Sequence, residues 1–501
     1  MNKDFLCSLS LSWVSSSLSK FLAPIFLSLF LISCANHAAT NQNMERDMTQ
    51  AVCSESEFDK TKEEMLKNKD VIYKGINSGL VARNCSLYER SIEFFDMAEE
   101  SYKVDVDLAS FGKKGAKLLG GTLLSDAFLD YDGTLYERIM VNVLKGLDFM
   151  AINDYANARV EFNRALARQD KAKEYFATQI NKSREAAESK GLGDAYSKGQ
   201  SEHESAIEAQ YGTHFDEFKA TANFVNPYAT YLASVFFFMD KDYARAADLF
   251  KEVAALQQKD AEMDKQFRAF EGSARSVAGP VVVPQKDTKL KGKKGSKQAL
   301  KAQKVEDKPV ESLTPSINYV FVVYENGFGA AKDEFSITLP FYLISGITHS
   351  LVALPVLKKR DSSYPYIVAN NEHSSHLVNL DDIVATEFKI GMPAQIAKAI
   401  ASTLIKTTIT AAVAKHDPTG GLLGFALGFA ASATTKADVR GMIGLPKEVQ
   451  SVLIPNTGLV SIKSPNGQLI VEEEVAIGKN VLLIVRSFAP HIPPVIFKIE
   501  R

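Results

Sequence analysis

The chain carries a single tryptophan, Trp13, and only four cysteines in 501 residues, which excludes a small disulfide-stapled scaffold and leaves stability to an apolar core. It also lacks an excess of charge. The 58 basic and 60 acidic side chains give a net charge of -2, without the positive surplus that draws nucleic acid, so no nucleic-acid partner is indicated. No apolar run reaches the roughly 20 residues that a helix needs to span a bilayer. GxSxG, Walker A, GxGxxG and HExxH motifs and CxxC pairs are all missing. Nothing therefore points to a hydrolase nucleophile, a phosphate cradle or a zinc site, and the expectation is a non-enzyme with no cofactor and no metal.

What is present starts at the N-terminus. Lys3 and Lys20 flank a serine-rich stretch, and Phe21 to Ile32 form a short apolar core containing Pro24. An uncleaved anchor would have to recruit Phe5 to Leu18 across Lys20, so a cleaved signal peptide over residues 1–33 is the better reading. Leu31-Ile32-Ser33-Cys34 resembles the bacterial lipobox, in which a small residue precedes a cysteine whose thiol receives diacylglycerol. By that resemblance Cys34 is residue one of the mature chain, and acyl chains worth about 0.8 kcal/mol per buried methylene would anchor it to a membrane. Ala35 stands where the inner-membrane retention signal usually has Asp, which implies the outer membrane, facing the periplasm. Cys7 leaves with the signal. Cys53 and Cys85 remain, and an oxidising compartment would let them pair; two free buried thiols is the other reading.

After a polar tether over residues 34–52, residues 53–275 have the apolar spacing and Ala, Glu, Lys and Arg content of helices. Three stretches beginning at Ile76, Val143 and Tyr231 align. Gly79, Gly146 and Ser234 share one column, Tyr88, Tyr155 and Tyr243 a second, Ser91, Ala158 and Ala246 a third, and Phe95, Phe162 and Phe250 a fourth. That is the tetratricopeptide pattern, in which small residues let two helices cross closely while Tyr and Phe fill the wedge. The spacing departs from a regular array: a degenerate repeat fits between the first two stretches, and polar helices broken at Gly191 and Gly193 between the last two.

Residues 276–312 form a linker whose stretch from Lys286 to Lys308 has nine lysines against three acids. A solvated tether is the simpler reading, and contact with anionic lipid or cell-wall acids the functional one. Residues 313–501 read as a mixed module, giving an α+β chain. The reading expects a buried strand from Ile317, a turn at Glu325-Asn326-Gly327, an alternating strand through Phe335, Ile337 and Leu339, and short strands at 350–354 and 366–369. A helix is expected from Pro393, at its first turn, to Lys415. Thr419 to Thr434 is too short to span a bilayer and reads as a close-packed helix rather than a membrane-dipping segment. A hairpin turned at Asn466-Gly467 and one further strand end the chain.

The repeats with "YERIM" (Tyr136 to Met140) and "ANARVEFNRA" (Ala156 to Ala165), then "YENGFGAAKDEFSITLP" (Tyr324 to Pro340) and "KADVRGMIGLPKEVQ" (Lys436 to Gln450), resemble a family of bacterial lipoproteins containing tetratricopeptide repeats. Its particular element is Asp438 and Arg440 followed by Leu445-Pro446; the family often has Trp near Met442, which this chain lacks. The resemblance implies an architecture and an address, and no reaction. Asp438 and Arg440 read as a structural ion pair or cap, and His373 and His376 as solvated side chains in a polar loop. Arg138, Asn142 and Lys145 share one side of a helix and form the candidate docking face. The expected function is a periplasmic docking scaffold for protein partners in the cell envelope. Peptidoglycan binding or remodelling by residues 310–501 is the alternative.

Overall fold

Three helical hairpins with the same turn organise the N-terminal half. The structure, a computed structural model, describes residues 37–103, 131–189, 226–257, 260–278, 318–343, 346–415 and 435–501, with isolated positions between 207 and 218. Helices α1 (His37–Thr49), α2 (Glu55–Leu66), α3 (Val71–Asn84) and α4 (Tyr88–Lys103) come first. They are followed by α5 (Leu135–Ala151), α6 (Tyr155–Ser189), α7 (Pro227–Met239), α8 (Tyr243–Leu256) and α9 (Ala261–Ala278). Local signals start them: Thr134 and Glu137 form a capping box on α5, and the Asn226 side chain caps α7, whose first turn holds Pro227.

The hairpins are α3/α4, α5/α6 and α7/α8. Each first helix ends in a left-handed residue two positions before the aligned tyrosine: Ser86, Asn153 and Lys241, with φ of 58°, 65° and 64°. Each turn closes with the same bond, from the N–H of Leu87 to Ala82, Asp154 to Phe149 and Asp242 to Phe237, at 2.9, 2.7 and 2.8 Å. Within two hairpins the glycine column meets the phenylalanine column. A Cβ on Gly79 would lie 2.5 Å from the Phe95 ring, and one on Gly146 2.8 Å from the Phe162 ring. Ala158, Ala246 and Ser91 are fully buried at the same crossings.

The C-terminal half contributes β1 (Tyr319–Asn326), β2 (Ala331–Leu343), β3 (Gly346–Lys358), β4 (Val368–Ala369), β5 (Glu372–His373), β6 (Ser375–Asn379) and α10 (Leu380–Lys415). Strands β7 (Glu448–Pro455), β8 (Leu459–Lys463), β9 (Leu469–Glu474), β10 (Val481–Ser487) and β11 (Val495–Glu500) complete it. A five-stranded sheet runs β11-β10-β1-β7-β6, with β1 parallel to β10 and antiparallel to β7. Its side chains alternate between two cores. Phe321, Val323, Leu453, Leu482 and Ile484 face the helices. Val320, Val322, Tyr324, Val452 and Leu483 face the small sheet β5-β4-β8-β9. The layers are thus helices, sheet, sheet. The hairpin β2/β3 stands apart and packs under α10 through Val352, Leu354, Phe388, Ile396 and Ile400.

Several expectations are corrected. Most of the segment read as a tether is helix α1, docked by Met48, by Asn41, whose Nδ2 donates to Val439 O at 2.9 Å, and by Glu45, which pairs with Arg360 at 3.0 Å; a few anchoring contacts hold it where overall polarity suggests a free chain. The turn after β1 does not make a hairpin with β2, because both edges of β1 are taken, by β10 and by β7, and β2 pairs with β3. Helix α10 begins at Leu380, so Pro393 lies inside it; the start is set by the Asn379 side chain, which accepts from Asp381 N at 3.1 Å, and by Asp381 and Asp382 in the first turn. His373 and His376 belong to strands β5 and β6, not a loop. The two halves share one apolar core, in which Phe238 packs on Phe321 at 5.2 Å and Arg83 lies 4.3 Å over the Phe497 ring. Cys34 with its lipobox, the break at Gly191 and Gly193, the region between Lys103 and Tyr131, most of the lysine-rich linker and Thr419 to Thr434 lie outside the described residues. Among the described residues no helix is long and apolar enough to cross a membrane.

Candidate functional site

Arg138, Asn142 and Lys145 do share one side of α5, but that side points inward. Their exposures are 8%, 0% and 1%, so the proposed docking face is corrected to an interior network. Lys145 Nζ lies 2.7 Å from Asp96, 2.6 Å from Glu99 and 3.1 Å from Glu161. Arg168 reaches Glu99 at 2.9 Å and Arg164 reaches Glu161 at 2.6 Å. Asn142 donates to Glu161 and accepts from Arg168. Arg138 stacks 4.8 Å over Tyr102. Burial alone would lower the Lys145 pKa, but Glu161 and Glu99 outweigh it and hold the ammonium above its ordinary value. Asp96, Glu99 and Glu161 match the charges of Lys145, Arg164 and Arg168, and the network ties α4, α5 and α6 together.

The C-terminal half covers part of the remaining surface of the inner helices α3, α5 and α7, α1 and α2 also pack on α3, and every residue of α7 is buried. The cover is built around the Asp438 to Lys447 loop. Asn77 on α3 reads its backbone twice, donating to Gly441 O at 2.9 Å and accepting from Ile443 N at 2.9 Å. Glu137 on α5 accepts from Met442 N at 2.7 Å, and Gly444 has no room for a Cβ against Met48. Arg440 is buried and bonds both oxygens of Asp438, at 2.8 and 2.9 Å, and Asp70 at 2.7 Å. Burial raises the Asp438 carboxyl, yet its hydrogen bonds to Arg440 and that residue's charge bring its pKa below the ordinary value. The pair is the structural one expected, with Asp70 as an added partner. Pro446 follows, its carbonyl 3.1 Å from where a Cβ on Gly329 would sit.

One further carboxylate crosses between the halves. Glu387 on α10 accepts the first two N–H groups of α5, Leu135 at 2.7 Å and Tyr136 at 3.0 Å, donors that a helix leaves without internal partners. Burial raises its pKa to about 7 against the pull of those N–H groups, and burial raises Asp381, which accepts from Ala330 N, to about 6. Sequence reasoning missed Glu99, Glu161, Glu137, Glu387, Asn77 and Asp70. For Glu99 a signal existed: it lies four residues after Phe95, on the core face of α4.

The remaining expected positions are structural. Cys53 and Cys85 form a disulfide that fixes the start of α2 to the end of α3. Tyr155 packs on Phe236, Tyr243 on Phe238, and Phe250 stacks on Phe270 at 4.5 Å; Tyr88 is partly buried against the same core. His373 stacks on Tyr366 at 5.1 Å. No group of three or more His, Cys, Asp or Glu among the described residues is placed to hold a metal ion. No protein-family model, curated protein or solved structure matches this chain.

Proposed function

We propose that the protein is a lipoprotein held by a lipidated Cys34 in the outer membrane, facing the periplasm, and that it serves as a docking scaffold for protein partners of the cell envelope. On this reading the hairpins are tetratricopeptide-like; their equivalent turns and paired Gly and Phe columns support it. Because the inner helices are covered, the surface left to a partner is the outer row. Two observations bear on its position. Arg159 on α6 bridges to Asp240 and Asp242 beside α8, so the two outer helices adjoin. Val160 on α6 and Leu256, at the end of α8 far from Asp242, stay exposed, at 42% and 52%, and these two separate apolar side chains on the outer row are the observation that carries the reading.

The test is in-cell cross-linking followed by purification through the anchored chain. A protein partner captured by the native chain is expected to be lost with Val160→Lys and Leu256→Lys, with thermal stability unchanged. Undiminished capture would reject the outer row. Recovery of cell-wall fragments alone would move the function to glycan binding.

A further inference from the structure

An anchor at Cys34 fixes more than an address. Three residue steps separate Cys34 from His37, the first residue of α1, which is at most about 11 Å of extended chain. The start of α1 is in turn held to the body. His37 meets the Tyr73 ring edge-on at 5.7 Å, and the Tyr73 hydroxyl donates to Asn41. Tyr73 stands in the first turn of α3, while Met48 and Leu80, further along the two helices, both border Gly444. Helix α1 therefore runs parallel to α3. Helix α2 runs against them, because the Cys53–Cys85 disulfide joins its start to the end of α3. Its last residue, Leu66, and the loop up to Asp70 thus lie at the same end of the helical layer as His37.

What that end exposes suits a lipid surface. Leu66, Lys67, Asn68 and Lys69 are all exposed, and Leu66, at 68%, is second only to Ile477 among the exposed large apolar side chains described. Lysines outnumber acids five to three between Lys60 and Lys74. Of those acids, Asp70 is taken by Arg440 and Glu64 by Lys74, and Glu63 lies 3.9 Å from Lys67. An apolar side chain followed by lysines can sit at the acyl boundary while the ammonium groups stay at the phosphates. We propose, resting on the lipidation of Cys34, that this end of the molecule lies on the membrane, with Leu66 at the acyl boundary and Lys67 and Lys69 among the headgroup phosphates. The hairpin turns at Ser86, Asn153 and Lys241, at the opposite end of the layer, then point away from the membrane.

The only tryptophan, Trp13, leaves with the signal, so one introduced indole reports its own depth. The lipidated chain carrying Leu66→Trp is reconstituted into vesicles of equal parts phosphatidylethanolamine and phosphatidylglycerol, with and without brominated acyl chains, and compared with Ile477→Trp. Ile477 marks the far end: three residues on, Asn480 bonds Arg501, which reaches Asp240 at 2.7 Å beside the Lys241 turn. Bromine quenching is expected to be at least about threefold stronger for Leu66→Trp than for Ile477→Trp. Adding Lys67→Glu with Lys69→Glu should lower it by about half or more, while the melting temperature stays put. Equal quenching at the two positions, or quenching of Leu66→Trp untouched by the added glutamates, would overturn the proposal. The mass of the N-terminal peptide separates the two readings. A Cys34 without acyl chains rejects the anchor and the orientation together, whereas a lipidated chain whose Leu66→Trp is not quenched rejects the orientation alone.

Discussion

At the scale of single residues, burial governs the carboxyls. Asp148, Asp381 and Glu387 have pKa values of about 6, 6 and 7, against ordinary values of 3.8, 3.8 and 4.5, and burial is the main cause for each. A carboxyl raised on folding binds protons more tightly in the folded chain. Its contribution to stability is present at low pH and lost as pH rises through the folded pKa. The urea midpoint should therefore be higher at pH 5 than at pH 8, and Glu387→Gln should flatten part of that slope. A midpoint that climbs steadily from pH 5 to 8 would contradict the assignment. Carboxyls lowered on folding, such as Asp438 and Glu93, act in the opposite sense and only at lower pH. Much at this scale was hidden in the sequence. Spacing placed Arg138, Asn142 and Lys145 on one face but not inward, because their counter-charges Glu99 and Glu161 come from other helices.

At the scale of elements, close helix crossings make a sharp prediction. Gly146→Ala puts a methyl into the Phe162 ring and should cost about 1–3 kcal/mol by overpacking. Gly272→Ala, in α9 where nothing lies within 4 Å, should be neutral or stabilise by roughly 0.5–1 kcal/mol through helix propensity. Equal effects in chemical denaturation would argue against the crossing geometry. The helical hairpins were legible because four columns recur, and each column has a packing job that local sequence can express. Strand β7 was not: its partner β1 is distant in sequence, and pairing choice is a tertiary fact. Helix α10 was entered too late because Pro393 resembles a helix start, whereas the cap at Asn379 sits directly after strand β6.

For the whole molecule, the notable arrangement is that the chain covers its own inner helices. An isolated fragment of residues 310–501 would expose the face of the five-stranded sheet that carries Phe321, Val323 and Ile484. It should lack a cooperative unfolding transition and bind hydrophobic dye, so a peptidoglycan test requires the full chain. A fragment that unfolds cooperatively would show that the halves are separable. Composition and repeats told of an α+β chain, yet a lysine-rich segment between two differently built halves suggested two bodies where one core is shared. The most direct test of the central claim, that the inner helices are sealed by the chain itself, is amide hydrogen exchange of the native protein. The N–H groups of Met442 and Ile443, donated to Glu137 on α5 and to Asn77 on α3, should exchange as slowly as those of the five-stranded sheet. Exchange at the rate of an unfolded chain would mean that the inner face is open, and the account would fail.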